Sequence, residues 1–118
     1  MDTKNAVKTF QYAERAKSLL IICSQLLMAL PSFPEGERSG GKRMLLLLME
    51  SVRAELGFAA GATEKRDFQK AIDELNIAIG LIESGQYGPA SPKISDAISA
   101  ATTAAQDSWQ VLADHGLL

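Results

Sequence analysis

The sequence has little of what most chemistry needs. Its 118 residues contain one cysteine and one histidine. A lone Cys23 excludes an internal disulfide framework and a cysteine-built zinc site. A lone His115 excludes every catalytic metal centre that needs two or three imidazoles. Charge of one sign is also missing. With 12 basic against 14 acidic side chains the formal charge is −2, which argues against a dedicated nucleic-acid binder, because phosphate contacts require a basic surface. No stretch reaches the roughly 18 consecutive apolar residues of a membrane span. Strand signals are missing too: there is no β-branched alternation bounded by Asn-Gly turns.

What is present is apolar and helical. Hydrophobic residues make up 47% of the chain, too many for a disordered tail. The length suits one domain spanning residues 1–118. Area scaling for 12.7 kDa gives roughly 6,200 Å² folded against about 18,000 Å² unfolded, enough burial for a true core. In the first segment Phe10, Ala13, Ala16, Leu20, Cys23, Leu27 and Leu30 recur three or four residues apart, one face of an α-helix. Pro31 and Pro34 stop it. The second segment centres on Met44-Leu-Leu-Leu-Leu-Met49. Phe68, Ile72, Leu75, Ile79 and Ile82 stripe the third. Ile94, Ile98, Ala101, Ala105, Trp109 and Leu112 stripe the fourth, with Ala97, Ala100 and Ala104 as a second, small-residue face.

Punctuation supports the same division. Gly57 and Gly61 bracket the end of the second helix, Ser84-Gly85 closes the third, and His115-Gly116 reads as the last turn and C-cap of the fourth. Thr63 reads as an N-cap, and Ser91-Pro92 reads as an N-cap followed by a first-turn proline. These signals predict helices near residues 3–30, 36–59, 63–84 and 91–115, arranged as an all-α, antiparallel, up-down-up-down four-helix bundle. The segment from Pro31 to Lys42 is expected to be a long interhelical loop, or to join the second helix from as early as Glu35. Lys4, Lys8, Arg15 and Lys17 before the apolar run 19–30 resemble a secretory leader superficially. Asp2, Glu14 and the Ser24-Gln25 interruption argue against one, and a cytoplasmic location is expected.

The candidate chemical motifs lack their context. Gly36-Glu-Arg-Ser-Gly-Gly41-Lys42 matches G-x-x-x-x-G-K, but Arg43 stands where a Mg²⁺-binding Ser or Thr belongs and no strand precedes it. A weaker reading keeps the charge alone: Arg38, Lys42 and Arg43 near a helix N-terminus form a candidate anion site, partly cancelled by Glu35 and Glu37. His115, at the end of the last helix, is explained by the negative end of the helix dipole. Cys23 has no evident activating base, so a buried apolar role is expected. No metal, cofactor or catalytic residue is nominated.

The informative feature is apolar excess. A bundle helix buries three or four of every seven residues, yet Met44–Met49 is six apolar residues in succession. With Met44 or Leu45, Leu48, Val52 and Leu56 facing inward, others must face out. Met44, Leu46, Leu47 and Met49 are the candidate interface residues, with the first helix contributing. Exposed apolar patches usually mark a partner. Three explanations stand: self-association, foremost as a homodimer; a groove for another protein's helix; or a second helix wholly surrounded by the others. The expected function is protein–protein association without catalysis, with no nucleic-acid or membrane partner. The alternative is a small-ligand or anion-binding bundle, or a minor enzyme, using the 31–42 loop.

Overall fold

The computed structural model describes all residues 1–118. Four helices, α1 (Thr3–Ala29), α2 (Glu35–Thr63), α3 (Arg66–Glu83) and α4 (Tyr87–Asp114), account for nearly the whole chain, and there are no strands. Asp2 opens α1, its carboxylate accepting from the Asn5 N–H at 2.7 Å. A 3-10 turn at Leu30–Ser32 closes it. Phe33, forced into extended backbone before Pro34, leads directly into α2.

The earlier of the two expected starts of the second helix is the one found, so the segment from Pro31 to Lys42 is mostly helix rather than loop. Pro34 itself caps α2, its carbonyl accepting from Glu37 and Arg38 N–H at 2.8 and 3.1 Å. Glu35 and Glu37 occupy the positive end of the dipole. These signals override the low helix propensity of Gly36, Gly40 and Gly41. Gly41 has a further role, since a Cβ there would lie 2.7 Å from Phe33 Cε2. Its bare backbone lets the Phe33 ring lie against α2.

Other boundaries also shift. Gly57 and Gly61 lie inside α2 rather than at its end. Thr63 closes α2 instead of opening α3: its hydroxyl donates to Ala59 O at 2.7 Å and accepts from Lys65 N–H at 3.2 Å, while Glu64 takes a left-handed conformation. Helix α4 starts at Tyr87, four residues before Ser91. Pro89 falls in its first turn, where an N–H would have no partner, and Pro92 deletes one bond beyond it. At the α3 end, Gly85 at φ 78° permits paired closing bonds, Gln86 N–H to Leu81 O and Gly85 N–H to Ile82 O. Gly116 repeats this arrangement after α4, as the His115-Gly116 ending predicts.

Buried positions alternate three and four residues apart. In α1 they are Ala6, Thr9, Ala13, Ala16, Leu20, Cys23 and Leu27. In α2 they are Leu45, Met49, Val52, Leu56, Ala59 and Thr63. In α3 Phe68, Ala71, Leu75, Ala78 and Ile82 keep the same spacing. That 3.5-residue period is the packing rule of supercoiled bundles. Cross-helix bonds establish antiparallel neighbours: Arg15 with Glu55, Lys42 with Glu83 O and Lys65 with Asp107. Phe10 and Lys17 of α1 share a groove with Trp109 and Thr102 of α4. Each helix thus packs on two neighbours, and diagonal pairs barely meet. This is the expected four-helix bundle.

Within α4 the alanine face points inward. Ala97, Ala100, Ala101, Ala104 and Ala105 are buried, whereas Ile98 is half-buried and Trp109 is 48% exposed. Both expected stripes of α4 thus enter the core, the first through Ile94, Ala101, Ala105 and Leu112 and the second through Ala97, Ala100 and Ala104, because α1 and α4 share the most extensive contact and small side chains permit it. The resulting shape is elongated, 54 × 22 × 19 Å, and its 6578 Å² surface slightly exceeds the ~6,200 Å² expected for a rounder protein of this mass.

Two variants test this packing. Thr9 is fully buried with a hydroxyl that has no hydrogen-bond partner. Thr9→Val is expected to raise stability by about 1 kcal/mol by removing an unsatisfied polar atom from an apolar site. Gly41→Ala is expected to lower stability despite alanine's better helix propensity, because the Phe33 ring must move. Urea unfolding at fixed protein concentration reads both.

Candidate functional site

The helical register disperses the basic cluster. Arg38 turns back, its guanidinium donating to Phe33 O at 3.1 Å and Pro31 O at 3.4 Å. Lys42 donates from Nζ to Glu83 O at 2.8 Å, satisfying a carbonyl at the end of α3. Arg43 alone stays exposed and unpaired. Two of the three anion-site candidates are thus engaged by backbone oxygens, and the glycines that would wrap a phosphate are wound into α2. His115 Nδ1 lies 2.8 Å from Val111 O, local to the end of α4. No three His, Cys, Asp or Glu side chains converge as a metal-sized group.

Ion pairs hold the flanks rather than forming a site. Arg15 makes a two-pronged contact with Glu55, Nε and Nη2 each at 2.7 Å from a carboxylate oxygen. The Arg15 hydrogen bond holds the Glu55 carboxyl below its ordinary range, and the reciprocal contact raises Arg15. Lys65 sits between Asp107 at 2.8 Å and Asp67 at 3.3 Å, and its pKa is raised chiefly by the bond to Asp107. These pairs are solvent-accessible and contribute little each.

The face shared by α1 and α2 is divided. One half is polar: Asn5 and Lys8 donate to the carbonyls of Thr63 and Ala62, and the Arg15–Glu55 pair marks its limit. The other half, nearer the α1–α2 connection, is apolar. A groove of about 420 Å³ there is lined by Leu26, Leu30, Phe33, Gly41, Met44, Leu45 and Leu48. From Ser18 to Pro34 there is no charged residue. Of two other depressions, one of about 450 Å³ beside Trp109 has a mixed lining and one of about 410 Å³ beside Asn5 is polar.

The run Met44–Met49 splits three ways. Met44 is 70% and Leu47 57% exposed, Leu46 and Leu48 are half-buried, and Leu45 and Met49 are in the core. Met49 is a correction to the expected interface. The inward stripe takes Leu45 and Met49 rather than Met44 and Leu48, so Met49 is fully enclosed and cannot face a partner. Leu46 packs partly against the core and is at most a flanking residue. Sequence reasoning missed Leu48, Leu26, Phe33 and Phe58 (69% exposed). Phe58 was findable, since it stands fourteen residues, two complete seven-residue repeats, beyond Met44.

No family model, curated protein or solved structure matches this chain.

Cys23 is fully buried, and burial pushes its thiol up to about 11. Below pH about 7.5 both folded and unfolded thiols are protonated, so Cys23 contributes no pH dependence there. Above that, the unfolded chain ionises first, and stability is expected to fall as pH rises toward about 11. The native protein is expected to resist a thiol-reactive reagent at pH 8 and to react stoichiometrically once unfolded in urea. Rapid native labelling would show that the core opens.

Proposed function

We propose that this protein acts by protein–protein association without catalysis, as a homodimer formed through the solvent face of α2 with the end of α1 contributing. The observation that supports this reading is the uncharged surface formed by Met44, Leu47 and Phe58 on α2, continuous on one side with the apolar groove at Leu26 and Phe33. Large apolar side chains exposed in succession are unfavourable in water and are relieved by burial against a partner. The engagement of Arg38 and Lys42 by backbone carbonyls weakens the anion-binding alternative. No helix is long and apolar enough to cross a membrane. A cytoplasmic setting belongs to the same proposal, consistent with a single unpaired thiol.

Leu47 is the position to test. Leu47→Glu places a carboxylate on an exposed helical site of the monomer, where it is solvated. In a dimer it is desolvated without a partner, costing several kcal/mol of association. Sedimentation equilibrium over a wide concentration range is expected to show a dimeric wild type and a monomeric Leu47→Glu variant with unchanged helical circular dichroism. A wild type that stays monomeric at all concentrations overturns the reading.

A further inference from the structure

The solvent face of α2 repeats with the same period as its buried face. Gly40, Met44, Leu47, Ser51, Ala54 and Phe58 are spaced alternately four and three residues apart, and all six are exposed. Leu45, Met49, Val52 and Leu56 follow that spacing inward. A helix with two such seams on opposite sides has one for its own bundle and one for a further helix. None of the six outward residues is charged. Alongside them stand Arg43 and Glu50, one seven-residue repeat apart on a single flank, exposed and without any hydrogen bond or ion pair within the chain. The opposite flank carries Gly41 and Leu48, which border the apolar groove.

We infer that the partner on this face is a second copy of the chain whose α2 runs antiparallel, related by a two-fold axis between Leu45 and Leu46, so that Met44 of each copy packs on Leu47 of the other and Arg43 of each meets Glu50 of the other. This rests on the reading of α2 as the homodimer surface and adds its direction and register. Charge selects the arrangement. In an antiparallel helix pair, like flanks face each other across the seam, so Arg43 and Glu50 form two symmetry-related attractive contacts. Sliding one seven-residue repeat in either direction sets Glu50 against Glu50 or Arg43 against Arg43. A parallel, in-register pairing brings Glu50 beside Glu55 of the other copy. The same two-fold operation places Leu48 against the Phe33–Gly41 contact of the other copy, covering the apolar groove. At the ends of the contact Gly40 opposes Ser51, and these small residues permit close approach.

The experiment uses the full chain with cysteines at those end positions, Cys23 being buried and unable to compete. The double variant Gly40→Cys/Ser51→Cys is expected to form a covalent dimer under mild oxidation. Each single variant is expected to stay non-covalent, because like positions lie eleven residues apart along the opposed helices, about 16 Å. Arg43→Glu or Glu50→Arg alone is expected to weaken dimerisation roughly tenfold or more, and the two together to restore it. Cross-linking by either single variant, or charge variants that leave the dimer unaffected, overturns the antiparallel register while the homodimer stands. A wild type monomeric across the concentration range overturns both.

Discussion

Burial of one narrow stripe from each of four helices is the constraint on which the rest of this structure depends. Every helix hides residues three and four apart, a 3.5-residue period, and a helix meeting only two neighbours can hide little more. Residues that fall off the stripe go to flanks or to solvent whatever their hydrophobicity. That is why six successive apolar residues in α2 are dealt to three environments, with Leu45 and Met49 enclosed, Leu46 and Leu48 at the edges and Met44 and Leu47 in water. Local composition cannot change this distribution, because one turn of helix points in every direction.

The same constraint explains the polarity of the outer surface. Where α1 and α2 meet near their free ends, the side chains flanking the stripe are Asn5, Lys8, Arg15 and Glu55, which bond across the helix pair. Nearer the connection the equivalent positions hold Leu26 and Leu48, which leave a groove instead of a bond. One face of a regular scaffold is thus closed by charge at one end and open and apolar at the other. The basic residues of α2 follow a related logic: Arg38 and Lys42 satisfy carbonyls left over where the 3-10 turn and α3 end, so their positive charge serves the fold.

Much of this was legible beforehand. Spacing along α1 from Ala13 to Leu30 named its buried face almost residue for residue. Gly85 and Gly116 marked helix ends through the left-handed conformation that glycine favours. Other glycines misled. Gly36, Gly40 and Gly41 read as loop by propensity, yet Pro34 and two first-turn glutamates start a helix through them. Thr63 carries a residue type that caps either end, and only the hydroxyl's bond to Ala59 O assigned it to the end of α2. For the candidate surface, the excess of apolar residues around Met44–Met49 was visible as a count, but their assignment to inside and outside was not.

Helix number and antiparallel order were determined by the sequence itself, because periodicity and prolines act locally. Which apolar residues face water was decided only by the tertiary structure. Rotating α2 by one residue, about 100°, would exchange Met44 for Leu45 and Leu48 for Met49 with almost no change in hydrophobicity. The neighbours make that choice: the fit of Leu45 and Met49 between α1 and α3, and of Phe33 over the bare backbone of Gly41, sets the rotation of α2 and with it the identity of the outward seam.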